Sequence, residues 1–302
     1  MIKKIIHNSF WGVYFISLFH CAECRIIPMF VSDEIAVRKY FRKKTGRELD
    51  FKNLKSFADK LNWYKLSHRN PLMQQCADKY AVREYVKKCG YSDILNDLYG
   101  VFYNVNEIDL NALPDKVVFK AAHGSHMNLV YPNTKYAWWQ CKLLMQSWLK
   151  QDIYWSGREW VYKDIPKRLI AERYLEDETG ELRDFKLFCY HGKPCFMQVD
   201  VGRNKGVHYR NYYDSELNLL PVTDNSTKIN PDLVPIDENN FIKMKRIAEN
   251  LSKPFEFVRT DFYLIQNKIY FGEMTFFDGG GYSGFSKEEY DVMFGDPWNV
   301  KV

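Results

Sequence analysis

The stretch Phe255–Ser286, FEFVRTDFYLIQNKIYFGEMTFFDGGGYSGFS, constrains the fold more than any other part of this chain. Two runs rich in aromatic and β-branched residues flank Gln266-Asn267-Lys268 and lead into a glycine-rich loop, the pattern of a β-hairpin. A three-residue turn at 266–268 predicts that Ile265 faces Ile269, Tyr263 faces Phe271, Asp261 faces Glu273 and Arg259 faces Thr275. Because side chains alternate along a strand, all of these lie on one side of the ribbon. Like charges set opposite one another, about 5 Å apart, repel. The facing carboxylates of Asp261 and Glu273 therefore call for a cation, and two hard oxygen ligands with room for water suit Mg²⁺. Arg259 adds a fixed positive charge beside them, a combination suited to a nucleoside triphosphate. The competing reading is a solvated hairpin face on which Arg259 neutralises one acid, and a two-residue turn would break the pairing.

A chain of 302 residues can bury a large core, as one elaborate domain or as two or three lobes. Its 46% hydrophobic and 17% aromatic content exclude a disordered protein. The formal net charge of +5 suits an anionic substrate or a membrane surface better than a nucleic acid, and no nucleic-acid partner is expected. Seven cysteines, scattered singly apart from Cys21 and Cys24, follow the pattern of a reducing compartment. The CxxC spacing of that pair lacks a second pair to complete a zinc site, so it reads as structural.

Near the start, Lys3 and Lys4 precede an apolar run over Ser9–Phe19 that is too short to span a bilayer and is followed by His20, Glu23 and Arg25. A buried or interfacial helix fits it. Basic residues from Arg38 to Arg47 read as a solvated helix face, or as weak attraction to an anionic leaflet. Helical spacing predicts one helix over Asp50–Leu66 and another opened by Pro71 and ended by Gly90, on which Lys79 and Arg83 share a face. Leu98–Asn104 and Val117–Ala121 read as strands. Lys120 inside the second is costly unless paired. The small-residue loop Ala122–Asn128 follows, before Leu129-Val130. Strand, lysine, loop and strand suit a phosphate, although the Walker pattern is absent. The aromatic segment Tyr136–Trp160 begins as a helix and reads as core. Arg168–Leu175 reads as a buried strand leading to an acidic turn over Glu176–Glu181. A hairpin follows, from Asp184–Tyr190 through the turn His191–Pro194 to Cys195–Val201, with Lys186 at an alternating position. Arg203, Lys205, His208 and Arg210 fall in a polar loop, residues 221–238 form another, and Phe241–Leu251 is a helix.

Taken together, DKYAVREYV, VVFKAAHGS, RLIAERYLED, DFKLFCYHGKP, FEFVRTDFYLIQNKIYFGEMTFFDGGG and the closing FSKEEYD resemble ATP-grasp enzymes, most closely the TupA-like branch found in surface-polysaccharide clusters. The resemblance runs from about Phe51 to Glu289 and implies an α+β fold, with ATP held between two lobes and an N-terminal helical extension. The corresponding division is a helical region over 1–66 and a catalytic region over 67–302, with lobes of roughly 67–165 and 166–302. On this chain Lys120 resembles the lysine that contacts the α- and β-phosphates, and Lys79 and Arg83 the early basic pair. His123, Gly124 and Ser125 resemble the start of the phosphate-covering flap. Glu172, Arg173, Tyr174 and Leu175 resemble the adenine hinge, with Glu176 or Asp177 near the ribose, and Lys186 resembles a further nucleotide contact. Arg259 matches the phosphate arginine, and Asp261 and Glu273 the magnesium carboxylates. Thr275 stands where the family pattern has asparagine and offers Mg²⁺ a weaker oxygen.

The resemblance implies ATP- and Mg²⁺-dependent activation of a carboxylate as an acyl phosphate that an amine attacks, joining an amino acid to a uronic-acid-type glycan. A glycosyltransferase using a nucleotide-sugar, or a sugar kinase, is the alternative. Arg203, His208 and Arg210 are the candidate grip on an anionic acceptor. A cytoplasmic location is expected, with peripheral contact at the inner membrane face as the alternative to a fully solvated protein.

Overall fold

A computed structural model describes residues 9–26, 30–133, 135–177, 182–202, 207–233, 235–282 and 284–300. Lys3, Lys4, Arg203, Lys205, the 178–181 part of the acidic turn and the side chain of Cys24 lie outside what is described. In chain order the elements are α1 (Phe10–Ile26), α2 (Asp33–Thr45), α3 (Phe57–Ser67), α4 (Pro71–Ala77), α5 (Val82–Lys88), β1 (Leu98–Phe102), β2 (Val117–Ala121), β3 (Asn128–Tyr131), α6 (Trp138–Trp148), α7 (Ile153–Gly157) and β4 (Leu169–Arg173). They continue as β5 (Asp184–Tyr190), β6 (Lys193–Val201), β7 (Tyr209–Asp214), β8 (Leu219–Leu220), α8 (Glu238–Ser252), β9 (Phe257–Ile265), β10 (Lys268–Thr275) and α9 (Glu288–Gly295). Helices and antiparallel sheets make this an α+β protein. Two compact units result, one from Met1–Ala36, Asp78–Ala81 and Asn96–Tyr174, the other from Val37–Ala77, Val82–Leu95 and Leu175–Val302.

The first unit is built on a four-stranded antiparallel sheet of order β1-β4-β2-β3. Along β2 the side chains of Val117, Phe119 and Ala121 are fully buried and join Cys141, Leu144, Met145 and Trp148 of α6 in one core. That periodicity puts Lys120 on the other face. Helix α1 lies on α6, where Ser17 Oγ and Ser147 Oγ are 2.6 Å apart and Phe10 meets the ring edge of Tyr136.

Two helices differ from expectation, each because a local acceptor wins over the helical ladder. The helix expected from Asp50 starts at Phe57, where the Ser56 hydroxyl accepts from the Asp59 N–H and the Asp59 carboxylate accepts from the Ser56 N–H. The helix expected through Gly90 is broken at 78–81. Asp78 Oδ1 accepts from the N–H groups of Tyr80 and Ala81 at 2.9 and 3.2 Å, a turn that competes with the helix. Lys79 and Arg83 therefore do not share a helical face. Lys79 belongs to the first unit, while Arg83 sits on α5 in the second.

The second unit carries a six-stranded antiparallel sheet of order β10-β9-β5-β6-β7-β8. Helix α8 packs on β5, β6 and β9 through Phe241, Met244, Ala248 and Leu251, all buried. At one end of the opposite face, Phe188, Tyr190 and Phe257 surround Phe57 of α3 together with Phe294 and Trp298. Arg210 lies in β7, within a strand, where the sequence suggests a loop. The β5–β6 turn is His191-Gly192 alone, because Tyr190 pairs with Lys193.

The β9–β10 turn also holds two residues, Gln266 and Asn267, both with positive φ, where the sequence suggests three. Ile265 therefore pairs with Lys268 and Tyr263 with Tyr270, correcting the expected Ile269 and Phe271 partners. A bulge between Phe271 and Glu273 absorbs the offset, so that Asp261 still faces Glu273 and Arg259 faces Thr275. Gly272 is the extra residue, and a Cβ there would stand 2.9 Å from the Asp261 carbonyl oxygen. Gly272→Ala is expected to lower the unfolding free energy by about 1–3 kcal/mol in urea titrations. An unchanged midpoint would show that the bulge yields without cost.

Candidate active site

The face of the second sheet opposite α8 carries a row of ionic groups set by strand register. Glu273 of β10 faces Asp261 of β9, Asp261 faces Lys186 of β5, and Lys186 faces Gln198 of β6. One step along, Asp184 faces Asp200, which faces Arg210 of β7. Ion pairs follow the register. Lys186 Nζ donates to Asp184 Oδ2 at 2.5 Å and to Asp261 Oδ2 at 2.9 Å. Burial works against the ammonium charge, but Asp261 and Asp184 outweigh it and hold its pKa above the usual lysine value.

Arg259 is the hub of this face. Its Nε and Nη2 donate to the two carboxylate oxygens of Asp261 at 2.7 and 2.6 Å, a bidentate clasp. Nη2 also donates to Thr275 Oγ1 at 3.2 Å and lies 3.6 Å from Glu273 Oε1, while Nη1 binds Asp278. Burial opposes the guanidinium charge, and Asp261 and Asp278 overcome it, so Arg259 titrates well above its ordinary value.

Asp278 opens the glycine loop, in which Gly279, Gly280 and Gly281 all have positive φ. Side chains of α3 fasten that loop. Fully buried Asn62 donates to the Gly281 carbonyl at 2.6 Å, and fully buried Lys65 donates to the Gly280 carbonyl with its ammonium 4.9 Å from the Tyr282 ring centroid.

Arg210 is held between two acids. Nε donates to Asp200 Oδ1 at 2.7 Å and Nη1 to Asp224 Oδ2 at 2.5 Å, and His208 Nε2 approaches the same Asp200 oxygen at 2.9 Å. Each cation of the face is thus shared between carboxylates. The sequence reading includes Lys186, Arg210, Arg259, Asp261, Glu273 and Thr275, but it omits Asp184, Asp200, Asp224 and Asp278. The even spacing of Asp184 with Lys186 was an available signal for the first. Asp224 and Asp278 lie in loops, where periodicity says nothing.

The first unit holds Lys79, Lys120, His123, Gly124, Ser125, Glu172, Arg173 and Tyr174 of the residues singled out by sequence, and Arg83, Leu175, Glu176 and Asp177 fall in the second. Lys120 Nζ donates to Glu172 Oε2 at 2.7 Å, so the lysine is paired by a residue of the expected adenine hinge. Within that hinge, the Arg173 N–H donates to the Asp97 carbonyl at 3.0 Å and its carbonyl accepts from Asn96 Nδ2 at 2.8 Å. Lys116 Nζ stands 3.8 Å from the Tyr174 ring centroid. Leu175 begins the chain's return to the second unit, with Glu176 and Asp177 after it. Lys79 pins the expected flap at two points, its N–H bonding the Ala122 carbonyl at 3.1 Å and its Nζ the Gly124 carbonyl at 2.8 Å. His123 is buried with Nε2 3.0 Å from the Trp148 carbonyl, and burial pushes its pKa below the ordinary histidine value. Ser125 is exposed. A Cβ on Gly124 would come within 2.3 Å of Ile153 and Met127, so the loop takes no larger residue there without displacing them.

Among the described residues no three histidine, cysteine or acidic side chains converge to hold a metal ion. Asp261, Glu273 and Thr275 converge on Arg259 and present two carboxylates and a hydroxyl, a hard oxygen set suited to a cation that also takes oxygens from a phosphate.

This chain belongs to the TupA-like ATP-grasp family, whose model matches residues 59–299. No curated protein matches the sequence. Similar solved structures include the D-alanine–D-alanine ligase of Helicobacter pylori, at 14% identity over 76% of this chain and 60% of that one, with a TM-score of 0.43. The D-alanine–D-alanine ligase of Bacillus anthracis complexed with ATP matches at 10% identity over 66% of this chain and 54% of that one, TM-score 0.41. Phosphoribosylamine–glycine ligase of Thermotoga maritima matches at 13% identity over 71% and 52%, TM-score 0.41. The chain thus spans between 52% and 60% of the lengths of these three chains.

The Lys120–Glu172 pair generates a test that separates folding from ligand contact. Lys120→Met removes the cation from a carboxylate that is 9% exposed and should cost about 1–3 kcal/mol of stability. The double variant Lys120→Met/Glu172→Gln should recover most of that loss in a double-mutant cycle. Simple additivity of the two single changes would mean that the pair contributes nothing to folding.

Proposed function

We propose that the protein is an ATP- and Mg²⁺-dependent ligase that activates a carboxylate as an acyl phosphate and joins it to an amine, within surface-polysaccharide synthesis. The observation that carries this reading is the clasp of Arg259 on Asp261, with Glu273 and Thr275 alongside, in a chain of the ATP-grasp family. Asp261, Glu273 and Thr275 would hold Mg²⁺, which when bound supplies positive charge to the phosphate oxygens. Arg259, fixed in position by Asp261 and Asp278, would meet the γ-phosphate without reorganising. Lys120 would contact the phosphate chain, and the loop over 123–125, tied down by Lys79, would shield it from water.

In the first step a carboxylate oxygen of the acceptor attacks the γ-phosphorus and ADP departs with the electron pair of the broken P–O bond. In the second an amine nitrogen attacks the acyl carbon, phosphate leaves and the amine loses a proton. No protein nucleophile is needed. An amino acid as amine and a uronic-acid-type glycan as carboxylate agree with the mild positive charge of the chain. Arg210, clamped by Asp200 and Asp224, would shape the acceptor side more by orientation than by a free charge.

Thermal melts provide the test. Excess ATP with Mg²⁺ should stabilise the protein by several degrees and a UDP-sugar should not, because only a ligand bound by the native state shifts the equilibrium. Asp261→Asn and Glu273→Gln, like EDTA on the wild type, should each remove the Mg²⁺-dependent part of the shift. With substrates present, hydroxylamine should trap the acyl phosphate as a hydroxamate. Stabilisation by the nucleotide-sugar instead of ATP would make the protein a glycosyltransferase, and a stable phosphorylated sugar with no hydroxamate would make it a kinase.

A further inference from the structure

Helix α1 has two unlike sides. Phe10, Ser17 and Cys21 are buried against the rest of the first unit, with hydrogen bonds from Ser17 and Cys21 to Ser147 and from Gln151 to Ser17. Trp11, Phe15 and Phe19, spaced four residues apart, are 51%, 61% and 67% exposed. Residues at this spacing form one stripe along a helix. Trp139 of α6, 54% exposed, extends the patch, its ring centroid 6.3 Å from that of Trp11. Exposed large aromatics gathered in this way mark a contact surface, whereas isolated ones do not.

The charges around the patch indicate its partner. From Ser9 to Ala22 there is no Asp, Glu, Lys or Arg. Lys3 and Lys4 precede the helix in sequence, exposed Lys135 leads into α6, and Lys142 lies one turn beyond Trp139 on the same helix. An uncharged aromatic stripe with Lys142 one turn from Trp139 fits a surface that is apolar below and anionic above. Trp and Phe rings settle at the depth of lipid headgroups, while Lys ammonium groups reach anionic phosphates. At 17 residues α1 is about 25 Å long, and among the described residues no helix is long and apolar enough to cross a membrane.

We propose that the Trp11–Phe15–Phe19–Trp139 face is a membrane-docking surface, on which α1 lies in the interface of a bilayer containing anionic lipid. The inference is independent of the reaction catalysed. It would bring the protein to a lipid surface by one face of its first unit.

Co-sedimentation of the full chain with vesicles tests this directly. Binding should be strong to phosphatidylcholine containing about 30% phosphatidylglycerol and at least about tenfold weaker to phosphatidylcholine alone. Trp11→Ser/Phe15→Ser/Phe19→Ser should lower partitioning to the anionic vesicles about tenfold or more, and Lys3→Ser/Lys4→Ser should weaken the same binding by a comparable factor. Unchanged thermal melting would confirm that these variants fold. Phe19→Asp, a single change at the most exposed of the three helix positions, serves if the triple variant does not. Equal partitioning of wild type and Phe19→Asp would overturn the proposal. So would a wild-type dimer, detected by light scattering, that the stripe variants dissociate while no form of the protein binds vesicles, since the stripe would then join two copies of this chain.

Discussion

A charge buried on a β-sheet must have its counter-charge within reach, and the second unit meets that constraint through strand register. Arg259 and Lys186 both contact Asp261, which is 2% exposed, so one carboxylate is held by a cation of its own strand, β9, and by one of the neighbouring β5. Removing either cation would leave the acid with less than its burial requires, a larger loss than the intact pair contributes. The geometry of the whole face follows from this. The alternation of side chains sends Phe257, Arg259 and Asp261 the same way, so the aromatic cluster that anchors α3 and the ionic row occupy successive positions of one strand. Packing of Phe57 on Phe257 therefore also fixes where the guanidinium begins.

Much of this face can be read from sequence, because a period of two is a strong signal when apolar residues border it. The facing of Asp261 and Glu273 emerges from two offsetting departures, a turn one residue shorter than expected and a bulge of one residue at Gly272. A glycine inside a strand is itself a bulge signal, so the pair of departures was latent in the string IYFGEMT. The break at Asp78 is different. The residues from Pro71 to Gly90 have good helical periodicity, and the turn that interrupts them is completed by Arg168, ninety positions later, whose guanidinium pairs with Asp78 and packs 4.5 Å from the Tyr80 ring centroid. Local pattern carries no information about such a partner. The same is true of Asp278 and Asp224, which reach Arg259 and Arg210 from loops.

In the first unit the chemistry-bearing groups are held by one another. Lys120 and Glu172 neutralise each other across adjacent strands, and Lys79 is bonded to the carbonyl of Gly124. These are polar contacts that an anionic ligand could exchange for its own, which gives such groups a defined position before anything binds. The second unit is more tightly determined, since the fully buried Asn62 and Lys65 grip the carbonyls of a loop whose three glycines could otherwise adopt many conformations.

The division of the chain has a further bearing on how this molecule can be taken apart. Its first unit draws on Met1–Ala36, Asp78–Ala81 and Asn96–Tyr174, so the backbone leaves and re-enters it, once for a visit of only four residues centred on Lys79. No single cut separates the two units into whole pieces. A fragment ending near Tyr174 would carry Val37–Ala77 and Val82–Leu95 without the sheet they belong to, and one starting at Asn96 would lack Asp78, the partner of Arg168. The two units are therefore interwoven along the chain: the first lies within residues 1–174, the second within 37–302, and the stretch 37–174 carries parts of both.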